Sequence, residues 1–170
     1  MATKIAKNPV YYQSQVRPNM DISSWLVDGA ATFVTGELCR IASDGLVYEG
    51  ITGANSGVGD DAVHLYALET VEAAIGADTT RKRFALINKD DQFEMNELDG
   101  TVTEAMRGQS YALNVTSNVC TIDTSDTTNI TFECVQPVWR IEPLLNDSTD
   151  TLARLIVKPL ASMLDAAKTN

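Results

Sequence analysis

A chain of 170 residues with 44% hydrophobic content can bury one sizeable core, so its length suits a single compact unit with at most an arm. A formal net charge of -10 excludes a general nucleic-acid binder, because neutralising phosphates takes a clustered excess of Lys and Arg. No window offers the roughly 20 apolar residues of a membrane-spanning helix, and the start MATKIAKNPVYY has no apolar run like that of a secretion signal.

In chain order, residues 1–24 read as an extended basic arm. Lys4, Lys7 and Arg17 lie there among prolines, amides and the pair Tyr11 and Tyr12, without helical or strand periodicity. The β-rich body is expected over 25–158, from Trp25 onward. Phe33–Ile41 and Leu46–Ile51 are expected strands joined through Asp44-Gly45, where glycine tolerates the positive φ of a tight hairpin. The loop TGANSGVGDD follows as an exposed tip. Further strands are expected at Val63–Glu69, Lys82–Asn88, Gln92–Glu97, Val138–Glu142 and Leu152–Lys158. Turns are expected at Asp99-Gly100, Ser117-Asn118 and Ser125-Asp126. Tyr111, Leu113 and Val115 alternate with polar or small residues, and Ile130, Phe132 and Cys134 do the same against Thr131 and Glu133. That is the period of half-buried strands.

Helical signal is confined to the Ala-rich stretches Glu69–Ala77 and Leu160–Lys168, both too short to stand without packing, and residues 159–170 read as a tail or short helix. No internal repeat of fixed period is evident. The fold class expected is mainly β: an antiparallel β-sandwich or barrel-like domain with an extended N-terminal arm and at most short helices.

Chemistry-bearing patterns are sparse. His64 is the sole histidine and sits in a strand-like run, so any Ser-His-Asp or Cys-His site would have to be built around it. Cys39, Cys120 and Cys134 form no C-x-x-C pair and read as free buried thiols in a chain made and kept in cytosol, or released by lysis. Asn88 to Asp99 imitates a calcium loop at its alternating early positions but has Phe93 where that loop needs glycine and Asp99 where it needs glutamate. The glycines of GITGANSGVGDD lack the Lys and hydroxyl of a phosphate cradle. No catalytic residue, metal or cofactor is therefore expected. Arg81, Lys82 and Arg83 form the one dense basic cluster of an acidic chain, suited to a salt-sensitive contact with an acidic neighbouring protein.

The hairpin GELCRIASDGLVYEG, the run VHLYALETVEAA and the segment RGQSYALNVTSNVCTIDTSDTTNITFECV together resemble the head decoration, or cement, proteins of tailed bacteriophages, over roughly Thr35 to Val157. The resemblance implies a small β-rich protein, often trimeric, that binds the outside of an icosahedral capsid and reinforces it. Its partners would be the major capsid protein and copies of itself, with no direct contact to nucleic acid or membrane. Its place would be the capsid exterior of a virion, after synthesis in the host cytoplasm. The family brings no catalytic residues. On this expectation Lys4, Lys7, Tyr11, Tyr12 and Arg17 order on the shell, with Trp25 and the Arg81–Arg83 cluster as further contacts. Two competing expectations are a tail-tube subunit and a carbohydrate- or ligand-binding sandwich using Trp25 or Trp139 as a flat platform; an enzyme ranks third.

Overall fold

The computed structural model describes residues 9–14, 21–50, 64–74, 76, 80–99, 102–138 and 153–161. Lys4, Lys7, Arg17, Trp139, the loop TGANSGVGDD, most of the strand expected over Val138–Glu142 and most of the C-terminal tail lie outside them. Eleven strands are described: β1 (Val10–Ser14), β2 (Asp21–Leu26), β3 (Leu38–Ile41), β4 (Val47–Glu49), β5 (Leu65–Ala67), β6 (Arg81–Leu86), β7 (Asp91–Asn96), β8 (Ser110–Thr116), β9 (Val119–Asp123), β10 (Ile130–Pro137) and β11 (Arg154–Pro159). One 3-10 turn, Glu104–Met106, precedes β8.

The strands form two antiparallel sheets, of order β1-β7-β11-β10-β8-β9 and β2-β6-β5-β3-β4. This agrees with a sandwich or barrel-like β domain. The two sheets also share one pairing scheme. In the set β2 to β6 the first strand pairs with the fifth, the fifth with the fourth, the fourth with the second and the second with the third; β7 to β11 repeat this strand for strand.

The likeness extends to single hydrogen bonds. Each set curls until its first and third strands meet through a parallel bridge, Val27 with Val47 and Glu97 with Ile122. Val27 N donates to Thr80 O just before the fifth strand of its set, and Glu97 N donates to Ala153 O at the same place in the other. The next residues, Asp28 and Leu98, donate to Val47 O and Ile122 O. The chain thus contains two copies of one five-stranded curled unit. No repeat period betrays it because the repetition lies in pairing, while loop lengths and side chains differ.

Each unit has its own interior. Val27, Phe33, Cys39, Val47, Leu65 and Phe84 fill the first, where the Phe33 and Phe84 rings stand 5.4 Å apart. Phe93, Met95, Leu113, Ile122, Phe132 and Leu155 fill the second, joined by Leu38 and Ile87 from the first unit. Leu38 and Cys39 are successive strand residues, so they face opposite sides of β3; one enters the neighbour's core and the other its own. The first unit is therefore packed on both faces at β3. Leu38 N donates to Cys120 Sγ at 3.5 Å and the Tyr66 and Phe93 rings stand 5.7 Å apart, tying the two units directly, while the Tyr66 hydroxyl donates to Pro9 O at 3.0 Å, just ahead of β1.

Turn chemistry sets the hairpins. Gly45 takes φ 81, and Leu46 N donates to Asp44 Oδ1 at 2.9 Å between β3 and β4. Ser117 and Asn118 take φ 50 and 62, the doubly left-handed pair whose twist suits a two-residue hairpin, between β8 and β9.

Three expectations are corrected. The strand foreseen over Phe33–Ile41 begins at Leu38, because Gly36 at φ 91 turns the chain and leaves Phe33 a lone bridge to Val71. The stretch Glu69–Ala77 is not helical at its described residues: Val71 N donates to Phe33 O, and the Glu69 side chain is committed to Arg83. Tertiary pairing outweighs a weak local propensity there. Within the arm foreseen over 1–24, residues 10–14 pair with β7 and residues 21–24 belong to β2.

Candidate protein-interaction surface

β2 and β6 run antiparallel with Ser24 opposite Arg83, Trp25 opposite Lys82 and Leu26 opposite Arg81. Cross-strand partners share a face and successive residues alternate, so at the outer strand of the second sheet Trp25 and Lys82 lie on one face while Ser24, Leu26, Arg81 and Arg83 lie on the other. Trp25 packs half-buried against the first unit's core while its indole N–H donates to Ser23 Oγ at 2.6 Å. A shallow open depression of about 340 Å³ lies beside it, lined by Ser23, Ser24, Trp25, Leu26, Gly45 and Arg81.

The cations of the cluster are not equivalent. Arg83 is occupied: its backbone N–H donates to Glu69 Oε2 at 2.8 Å and its Nε to Glu69 Oε1 at 3.1 Å. These bonds hold the Glu69 carboxyl below the usual carboxylate range. Arg81 donates from Nη1 to the Ser24 carbonyl at 3.1 Å, a neutral acceptor that leaves its charge uncompensated by that bond. Lys82 stands beside Trp25 across the strand pair.

Of the remaining residues expected to make contacts, Tyr11 pairs with Phe93 and Tyr12 sits at the register shift between Tyr11 and Gln13. Both lie on the other sheet from Trp25. The β2–β6 strand pair therefore carries Trp25, Arg81, Lys82 and Arg83, split between its two faces with Trp25 and Arg81 meeting at the depression, and the tyrosines lie elsewhere.

His64, the three cysteines and Asp91 each have structural surroundings. His64 Nδ1 accepts from Ile41 N at 3.0 Å, which makes that nitrogen the unprotonated one. Its carbonyl accepts from Ile87 N, so this histidine, just before β5, ties β3 to the end of β6. All three cysteines are free and buried, and burial pushes each thiol well above its ordinary range, away from the nucleophilic thiolate. Among the described residues no three His, Cys, Asp or Glu side chains group as metal ligands. Asp91, in the stretch resembling a calcium loop, is buried and accepts from Asn88 N at 2.8 Å, closing a turn.

One unforeseen group is Glu37, fully buried beside the contact between the units. Its Oε2 accepts from Val34 N at 3.1 Å, and the Gly50 backbone also donates to the carboxyl, whereas Oε1 has no partner among the described residues. Burial, with a smaller push from the nearby Glu49 carboxylate, raises Glu37 to about 7. Nothing in the run Gly36-Glu37-Leu38 signals this, because the burial arises from β8 and β9 lying against β3.

No family model, no curated protein and no solved structure matches the chain.

Proposed function

We propose that this chain is a non-enzymatic structural protein of a bacteriophage particle, which binds the outer surface of an icosahedral capsid and reinforces it. Its partners are the major capsid protein and further copies of itself, arranged as a trimer. One observation carries this reading: a double β body whose described histidine, cysteines and Asp91 are spent on packing, turns and strand pinning, with Trp25 and an under-neutralised Arg81 lining one open depression at the outer strand pair. A half-buried aromatic beside a cation is a common composition for a contact hot spot. A plate bound across capsid subunits needs only modest single contacts, because tethering raises the effective concentration of each further one. Residues 1–8, with Lys4 and Lys7, supply such an additional contact together with Arg17.

Co-sedimentation with purified shells tests this reading. The parent chain should pellet with shells at low salt, and the double charge reversal Arg81→Glu with Lys82→Glu should weaken binding by about tenfold or more, a gap that salt narrows. Equal occupancy for parent and variant would remove this surface from the interface. Long polymers in the absence of shells would instead favour the tail-tube reading.

A further inference from the structure

The repeated pairing scheme has an asymmetry. β7 is the first strand of the second unit, and its outer edge is covered by β1, with Val10 opposite Glu94 and Tyr11 opposite Phe93. β2 is the first strand of the first unit and holds the same position, yet among the described residues no strand lies on its outer side. The same fold position is capped in one unit and, among the described residues, open in the other.

Backbone alternation shows which groups form that open edge. Arg83 N and O are turned to Glu69 and Leu68 on the β5 side, so Ser24, opposite it, is not in a hydrogen-bonded pair with β6. Val27 N bonds to Thr80 O, placing the odd residues of this strand on the β6 side. The backbone N–H and C=O groups of Ile22, Ser24 and Leu26 therefore face outward. Ile22 is also the most exposed of the large apolar side chains described, at 64%. Farther along, Asp28 N is taken by Val47 O, so the unit is closed at that end and open along β2.

Arg81 guards this edge. Its guanidinium caps the Ser24 carbonyl, the acceptor in the middle of the open row. Charged side chains at sheet edges discourage indiscriminate strand pairing. A carboxylate is a stronger partner for a guanidinium than a peptide carbonyl is, so an incoming acid would draw Arg81 away and free Ser24 O.

We propose that the outer edge of β2 is a docking site for an extended, acid-bearing segment of a partner protein, which adds to the sheet as β1 adds to β7. Backbone hydrogen bonds from Ile22, Ser24 and Leu26 supply the pairing, Arg81 takes the segment's carboxylate, and the depression beside Trp25 receives a side chain. This gives a chemical form to the contact surface of the preceding reading and rests on it only for the identity of the partner.

The test uses the full chain and a short capped peptide alternating valine with aspartate, beside its asparagine counterpart. Amide hydrogen exchange should slow by about tenfold or more at Ile22, Ser24 and Leu26 on adding the aspartate peptide. That peptide should bind about tenfold tighter than the asparagine one at low salt, the gap closing at high salt. Arg81→Gln should erase the preference. Ser24→Pro should abolish binding of both while Ser23 and Trp25 amides stay protected, because only an outward N–H is lost. The site is refuted if neither peptide protects the three amides, or if Ser24→Pro binds like the parent. It is also refuted if protection exists without peptide and grows with protein concentration, which would mean that a second copy takes the edge. A chain that takes the peptide but ignores shells refutes the capsid reading and keeps this site. A chain that binds shells while the three amides exchange freely does the reverse.

Discussion

Gly50→Ala is expected to destabilise the protein by about 3 kcal/mol, the upper part of the range for overpacking a well-filled site. A Cβ at this position would collide with the Leu38 carbonyl oxygen and stand 3.4 Å from Val115 Cγ2 across the contact between the units. Neither neighbour can give way cheaply. The Leu38 backbone is held by its pairing with Tyr66 and by its N–H on Cys120 Sγ, and Val115 sits in β8 opposite Cys120. For a chain of this size the loss corresponds to a fall in Tm of about 6–12 °C. A thermal melt of the variant checks it. A melt indistinguishable from the parent's would mean that the two units do not meet as closely as Gly50 allows.

The second large effect is on pH dependence. Glu37 ionises near pH 7 in the folded chain and near its ordinary 4.5 when unfolded. Between these values the folded state holds a proton that the unfolded state has released. The unfolded state then binds fewer protons, so stability falls as pH rises through this window, by at most about 3 kcal/mol, and is flat on either side as far as this group is concerned. Glu37→Gln cannot ionise and should lose that slope. Urea melts of parent and variant at pH 4.5, 6 and 8 read the difference; parallel profiles would show that the carboxyl is hydrated rather than buried. Because Gly50 N donates to this carboxyl, the Gly50 and Glu37 substitutions should not be additive.

Legibility followed the range of the interactions. Local signals were readable: Asp44-Gly45 and Ser117-Asn118 turn where their residue types say they should, and the alternation at Ile130, Phe132 and Cys134 gives β10 with Phe132 and Cys134 buried. The mainly β, barrel-like class follows from such signals. Features made by distant pairing were not readable. Arg81 and Ser24 meet across 57 positions, so neither the depression that Trp25 and Arg81 share nor the outer edge of β2 has a local signature. The duplication escaped for a related reason: hydrophobic periodicity reports which face of a strand is buried and carries nothing about which strand lies beside it. Glu37 drew no expectation from the sequence, since the run Gly36-Glu37-Leu38 does not announce that its carboxyl is buried beside the contact between the units.

Duplication also bears on how the molecule works. Leu38, Tyr66 and Gly50 join two curled units, each with a core of its own, and the shared pairing scheme yields two corresponding edges. One is capped by the chain's own β1. Among the described residues the other carries no strand and is guarded by Arg81, so contact with an acidic partner is selected by charge first and completed by backbone pairing.

Heating of expanded capsid shells, followed by light scattering or electron microscopy, tests most directly whether this chain reinforces them. With the parent protein bound, shells should survive to a higher temperature than bare shells, and the Arg81→Glu, Lys82→Glu chain should give little of that gain at the same concentration. Shells that break at the same temperature with and without the parent protein, under conditions of full mixing and low salt, would contradict the account.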